Sequence, residues 1–129
     1  MNQQRLKYAL VFLRTIVALI MFTHGVGRIY FGMVDDFGAF LSVNGFPLGF
    51  YIAWAITIFE IVGSILIAIG FYVAPLAIVF AVHLTCGILL VHLKDGWFVV
   101  GAGRNGAEFS VLLVASFITL IISHYGKNK

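Results

Sequence analysis

The chain has 129 residues, of which 62% are hydrophobic and 10% are charged, with a net charge of +3 and a mean hydropathy of +1.09. Soluble domains are about half apolar and about a quarter charged, so this composition indicates a protein covered mostly by lipid. The eight basic residues form no stripe, which argues against nucleic-acid binding. The single cysteine, Cys86, excludes an intramolecular disulfide and a dithiol relay run by this chain alone.

Four apolar segments predict membrane-spanning helices. They run over about residues 6–29, 50–70, 73–92 and 108–124. Each approaches or exceeds the ~17–20 residues that a helix needs to cross the hydrocarbon core. A tight turn around Gly70 and Pro75 joins the second segment to the third. The sequence therefore predicts an all-α fold, a four-helix antiparallel bundle in the membrane, formed as a single transmembrane domain over residues 1–129.

The connections between these segments differ in character. In the first, Asp36 is a candidate N-cap, and Phe37, Phe40 and Leu41 form an apolar face, which predicts a short interfacial helix. The third connection is rich in glycine and contains a literal G-x-G-x-x-G over residues 101–106. Because the dinucleotide motif requires a strand before it and a helix after it within a βαβ unit, we expect a close-packed loop here and no nucleotide site.

The distribution of basic residues predicts the orientation. Four spans place both termini on one side of the membrane. The basic residues near that side are Arg5, Lys7, Arg14, Lys127 and Lys129. Those on the opposite side are Arg28, Lys94 and Arg104. This excess predicts that both termini are cytoplasmic.

Ionisable residues inside the predicted spans are the candidate functional groups. A charge at the bilayer centre costs roughly 2.5–3.5 kcal/mol, so such groups usually face the bundle interior and form pairs. Counting residues from the helix ends groups them by depth. Arg14, Glu60 and His83 form a predicted inner cluster near mid-membrane, and His24, Arg28 and Glu108 form a predicted outer cluster.

Several roles are open for these clusters. They could be buried ion pairs that fix the helix register. Alternatively, a histidine and a carboxylate near mid-membrane could hydrogen-bond a quinone carbonyl and exchange its proton. Haem ligation by His24 and His83 is disfavoured because the two residues differ in depth. No metal site is predicted, since the sequence has no Glu-x-x-His motif of the kind that di-metal bundles use.

The order of these motifs resembles that of a known family. The matching positions are Arg14, residues 24–28, residues 45–47, residues 60–63, His83, Gly87 and Glu108. Together they resemble the DoxX family of small bacterial four-helix membrane proteins. The resemblance implies a location in the bacterial inner (cytoplasmic) membrane and an association with oxidoreductase systems, some of them quinone-linked. It assigns no catalytic residue.

Two principal hypotheses follow. The first is a DoxX-like membrane subunit or anchor of an oxidoreductase system, with quinone as the candidate cofactor or with a soluble or membrane-bound redox enzyme docked on it. The second is a non-catalytic structural or assembly protein with buried ion pairs. A third, a proton or small-molecule conduit formed by a homo-oligomer, has little support in the sequence because no inverted repeat is clear. Whether the chain is itself an enzyme is left open by its residues.

Overall fold

The computed structural model describes residues 2–126. Within them the chain forms five α-helices and a 3₁₀ turn at His92–Asp95. The helices are α1 (Gln3–Tyr30), α2 (Val34–Val43), α3 (Gly49–Ile69), α4 (Val73–Leu90) and α5 (Glu108–His124). The described residues contain no strand, so the predicted all-α fold is confirmed. Lys127 and Lys129, which contribute to the predicted orientation, lie outside the described residues.

Among residues 2–126, three helices are long and apolar enough to cross a membrane: α1 with 28 residues, α3 with 21 and α4 with 18. This confirms the predicted membrane helical bundle. Helix α5 is also apolar but has 17 residues, so its crossing of the membrane as a fourth span stays a prediction. Large apolar side chains point outward from all four helices, among them Phe12, Leu19, Ile69, Leu89 and Ile122. In water such a surface would aggregate, whereas in a bilayer it is solvated by lipid tails.

The four long helices alternate in direction and pack mainly in two pairs, α1 on α3 and α4 on α5. The start of α1, the turn between α3 and α4 and the end of α5 lie together at one end of the bundle, which we call the terminal end. The opposite end, the loop end, carries α2, the 3₁₀ turn and the loop before α5. Helix α2 packs on α3 through Val34, Leu41 and Ala53.

A continuous apolar core joins all four long helices. Its buried residues are Val17, Ala18, Met21, Ile67, Val73, Ala77, Phe80, Leu113, Phe117 and Leu120. The ring of Phe80 packs against Phe59 at 4.7 Å and stacks on Phe117 at 5.0 Å between centroids. Because lipid tails compete for apolar groups, close packing of this kind, more than the hydrophobic effect, stabilises the bundle.

Two helix starts differ from the predicted ones. Helix α1 begins at Gln3, before the predicted residue 6, because the side chain of Asn2 accepts a hydrogen bond from the Arg5 backbone N–H at 2.8 Å. Helix α2 is present as predicted, but Asp36 is not its N-cap. The N-cap is Met33, and Asp35 and Asp36 lie in the first turn. Carboxylates are stabilised there by the positive end of the helix dipole.

The end of α4 also differs from the prediction. The helix ends at Leu90, whereas the predicted span reached residue 92. The chain then tightens into the 3₁₀ turn, and the His92 Nδ1 donates a hydrogen bond to the Asn105 carbonyl at 2.9 Å. This bond ties the end of α4 to the glycine-rich loop before α5.

Gly25 sets the close approach of α1 to α3. A Cβ atom at this position would lie 2.7 Å from the Ile61 Cγ1 and 3.0 Å from the Thr57 carbonyl oxygen. The backbones can therefore pack closely only because residue 25 has no side chain, as in other small-residue contacts between membrane helices. The contact places Gly25 of α1 level with Glu60 of α3.

We expect Gly25→Ala to lower the free energy of unfolding by about 1–3 kcal/mol, because the added methyl group forces α1 away from α3. Gly27→Ala is the matched control, since a Cβ there meets no atom within 4 Å. It should be neutral or slightly stabilising, given the higher helix propensity of alanine. Thermal unfolding in detergent, followed by circular dichroism, measures both. Equal unfolding midpoints for the two variants would contradict this packing.

Candidate functional site

The Glu60 carboxylate lies at the centre of the most polar group of contacts inside the bundle. The residue is on α3 and is 1% exposed. Its Oε1 accepts a hydrogen bond from the Arg28 Nη1 at 2.6 Å, and its Oε2 accepts one from the His83 Nε2 at 2.9 Å. We call these three residues the Arg28–Glu60–His83 cluster. It joins α1, α3 and α4 through one buried carboxylate.

Arg28 is held in place by groups from two further positions. Its Nη1 also donates to the Thr57 Oγ1 at 3.0 Å, and the Thr57 hydroxyl in turn donates to the Ala53 carbonyl at 2.8 Å. The guanidinium carbon lies 4.8 Å from the centre of the Phe37 ring of α2, a cation–π contact. Helix α2 therefore covers the cation that neutralises Glu60.

The second ring nitrogen of His83, Nδ1, takes no part in the bond to Glu60. Since an ionised carboxylate can only accept, the Nε2 atom carries the hydrogen in the bond to Glu60. Among residues 2–126, the Nδ1 atom has no hydrogen-bond partner. The side chain keeps 23% of its surface exposed and lines a cavity at the loop end. The carboxylate thus orients an imidazole whose second nitrogen remains available.

The cavity has a volume of about 350 Å³. Its polar lining consists of the Arg28–Glu60–His83 cluster with His24, His92, Asn105 and Ser110. Its apolar lining includes Met21, Phe37, Leu84, Phe109 and Leu113. Small-molecule sites are usually concave and mostly apolar, with a few converging polar groups, and they begin near ~300 Å³. The cavity has the size and chemistry of a site for a small, partly polar ring.

The structure separates the residues of the predicted inner cluster. Glu60 and His83 come together, but Arg14 lies at the terminal end. There its Nη1 contacts the His124 Nε2 at 3.4 Å, and its Nη2 lies 3.5 Å from the Ala68 carbonyl oxygen. The depth count failed for Arg14 because α1 is about 42 Å long, at ~1.5 Å per residue, and begins well beyond the turn that ends α3.

The predicted outer cluster is rearranged as well. Arg28 contacts Glu60, whereas the Glu108 Oε1 accepts a hydrogen bond from the Val99 backbone N–H at 3.2 Å. The exposed His24 lines the cavity, but its Nδ1 donates to the Ile20 carbonyl of its own helix at 2.9 Å. Arg28 lies about level with Thr57, one helical turn from Glu60, and its long side chain spans that turn.

Two further residues that line the cavity, Phe37 and His92, were not predicted from the sequence to belong to the site. The predicted face of α2 includes Phe37, but nothing in the pattern shows that its ring covers Arg28. The predicted third span runs to residue 92, which would put His92 on the same continuous helix as His83. Since α4 ends at Leu90, His92 instead lies in the 3₁₀ turn and lines the cavity. Thr57 lies three residues before Glu60 and so on the same face of α3, which is the sequence signal that could have linked it to the site.

Comparison with known proteins identifies the family. A sequence model of the DoxX family matches residues 9–93, which include Arg28, Glu60 and His83. The chain belongs to the DoxX family. It is also similar to a Bacillus subtilis (strain 168) protein named "Putative oxidoreductase CatD", with 30% identity over 111 residues that cover 86% of this chain and 75% of the relative. No solved structure matches the chain. The family resemblance drawn from the residues is thus confirmed.

We expect Arg28→Gln to lower the free energy of unfolding by about 3–5 kcal/mol, because it leaves the buried Glu60 carboxylate without its cation. Arg104→Gln, on the exposed glycine-rich loop, also removes one positive charge and should change the free energy of unfolding by less than about 0.5 kcal/mol. A double-mutant cycle with Glu60→Gln should give a coupling of about 1–3 kcal/mol, measured by thermal unfolding in detergent. Additive effects of Arg28→Gln and Glu60→Gln would show that the pair is not energetically coupled.

Proposed function

We propose that this DoxX-family protein is a bacterial inner-membrane subunit of an oxidoreductase system, and that it binds the headgroup of a quinone or quinol at the Arg28–Glu60–His83 cluster. The observation that carries the proposal is the imidazole of His83, oriented by a buried carboxylate at the wall of a largely apolar cavity. From the distribution of basic residues we infer that both termini are on the cytoplasmic side, which places the loop end and its cavity toward the opposite face.

The hydrogen-bonding groups of the cluster suit both redox forms of the ligand. With its Nε2 hydrogen donated to Glu60, the neutral His83 ring offers a lone pair at Nδ1 to a quinol hydroxyl. As an electron acceptor takes two electrons from the quinol, one hydroxyl proton transfers to the His83 Nδ1, where the Glu60 carboxylate stabilises the resulting imidazolium, and the second hydroxyl proton is released to water. N–H groups of Arg28 not used on Glu60 and Thr57 are donors for a quinone carbonyl.

The surroundings of the cluster favour a lipid-borne ligand. Met21, Leu84 and Leu113 form an apolar wall next to the polar groups. A quinone ring has the same division, with two polar oxygens on an otherwise apolar body, and quinones dissolve in the bilayer that surrounds the helices. Cavities of this composition bind such ligands by apolar contact and use the polar groups to orient them.

The electrons require a partner. Cys86 is the single cysteine of the sequence and cannot run a dithiol relay alone. We therefore propose that a separate oxidoreductase, soluble or membrane-bound, exchanges electrons with the quinone held by this chain. The name of the Bacillus subtilis relative supports an oxidoreductase association, and it does not specify a substrate.

A structural role is the second candidate function. The observation that favours it is that one carboxylate, that of Glu60 on α3, bonds both Arg28 of α1 and His83 of α4. An ion pair of this kind can fix the register of a membrane bundle without any ligand. In that case His83 would stabilise the fold but would have no role in binding.

Titration of the purified protein with a short-chain benzoquinone or naphthoquinone, followed by calorimetry, tests the proposal. We expect saturable binding, and we expect His83→Gln to raise Kd about tenfold, the effect of losing ~1.4 kcal/mol. His124→Gln is the matched control, because it removes an imidazole from the far end of the bundle. It should leave Kd unchanged.

Two results would count against quinone binding. One is the absence of saturable binding by the folded protein to either class of quinone. The other is an equal rise in Kd for His83→Gln and His124→Gln. A fall in unfolding temperature for His83→Gln with no quinone binding by the unmodified protein would favour the structural role.

A further inference from the structure

A second cavity lies at the terminal end of the bundle, away from the Arg28–Glu60–His83 cluster. Its volume is about 510 Å³, and it is enclosed by the first turns of α1, the turn between α3 and α4 and the last turn of α5. Its polar and charged lining residues are Gln3, Gln4, Lys7, Arg14, Ser123 and His124. The first cavity has the acidic Glu60 in its lining, whereas this one is lined by cations and neutral groups.

The charge in this cavity is not balanced by an acidic side chain of the described residues. The five acidic residues of the sequence are Asp35, Asp36, Glu60, Asp95 and Glu108. Glu60 is paired within the bundle, and the other four lie on α2, in the 3₁₀ turn or at the start of α5, all at the loop end. Lys7 and Arg14 therefore share the terminal-end cavity with no side-chain carboxylate among its described lining residues.

Arg14 is positioned by the fold but is weakly satisfied. Its guanidinium lies on Gly70, where a Cβ atom would come within 3.3 Å of the Nη2. Its contacts to the His124 Nε2 and the Ala68 carbonyl, at 3.4 and 3.5 Å, are long for hydrogen bonds. The Nε atom is buried and has no hydrogen-bond partner within residues 2–126. A guanidinium has five N–H donors, so the contacts with residues 2–126 leave most of this group's hydrogen-bonding capacity unused.

We propose that the terminal-end cavity binds a phosphate group, with the Arg14 Nη atoms and the Lys7 ammonium as its cationic contacts. Arginine suits phosphate because its planar fork can donate two parallel hydrogen bonds, and lysine adds a second point charge. Basic cavities between membrane helices at the headgroup level are places where anionic lipids bind. The phosphate belongs either to an anionic lipid headgroup or to a soluble phosphate compound. This site is independent of the proposed quinone site.

The experiment uses the full chain purified in a non-ionic detergent. Its unfolding midpoint is measured against rising concentrations of phosphatidylglycerol, phosphatidylcholine or inorganic phosphate at constant ionic strength. We expect phosphatidylglycerol or inorganic phosphate to stabilise the protein saturably and phosphatidylcholine to do so less. Arg14→Gln and Lys7→Gln should each raise the apparent Kd about five- to tenfold. Arg5→Gln is the matched control, since Arg5 lies in the same turn region of α1 but does not line the cavity.

The titrations with phosphatidylglycerol and with inorganic phosphate distinguish the source of the phosphate group. Stabilisation by phosphatidylglycerol alone assigns the site to lipid, and stabilisation by inorganic phosphate assigns it to soluble phosphate compounds. If Arg14→Gln does not fold, the apparent Kd of Lys7→Gln tests the proposal instead. The Lys7 side chain is exposed, so its loss should leave the bundle intact. The proposal is overturned if neither probe exceeds phosphatidylcholine, or if Arg5→Gln weakens binding as much as Lys7→Gln.

Discussion

The structure depends on one constraint, a buried carboxylate inside a membrane bundle. Glu60 is almost fully enclosed, so its charge must be neutralised by groups that the other helices supply. Arg28 from α1 and His83 from α4 each donate a hydrogen bond to one oxygen of the Glu60 carboxylate. These two bonds fix the rotation and the register of three helices at once. The close approach of α1 at Gly25 is what brings Arg28 within reach.

The same constraint shapes the chemistry of the cavity. Because both Glu60 oxygens accept hydrogen bonds from its partners, Glu60 orients His83, and the groups of the cluster that remain for a ligand are the Nδ1 of His83 and the other N–H groups of Arg28. The cation–π contact with the Phe37 ring also holds the guanidinium in place. The Arg28 Nη1 and the His83 Nε2 therefore neutralise and bond Glu60, whereas the remaining N–H groups of Arg28 and the His83 Nδ1, which we assign to a ligand, are separate from that pairing. This division is what the proposed quinone site requires.

Much of the fold could be predicted from the sequence, because hydrophobic length and the turn at Gly70 are local signals. The contacts of the site could be predicted only in part. Thr57 and Glu60 share a helix face, and Gly25 and Arg28 share another, so the faces were accessible from helical periodicity. The register between α1 and α3 could not be predicted from helical periodicity, since it depends on how far α1 extends past the bundle. That unknown length placed Arg14 too deep and Arg28 too far from Glu60. The end of α4 at Leu90 was a second non-local feature, and it changed the position of His92.

The most direct test of the account is ¹⁵N NMR of the His83 ring in protein labelled at histidine, recorded with and without a quinone analogue. We predict that without ligand the Nε2 atom carries the hydrogen and Nδ1 does not. On addition of the analogue, the Nδ1 resonance should shift while the Nε2 resonance stays nearly constant, because its bond to Glu60 is preserved. If saturating analogue leaves both resonances unchanged, or if the hydrogen lies on Nδ1 in the free protein, the assigned role of His83 is wrong.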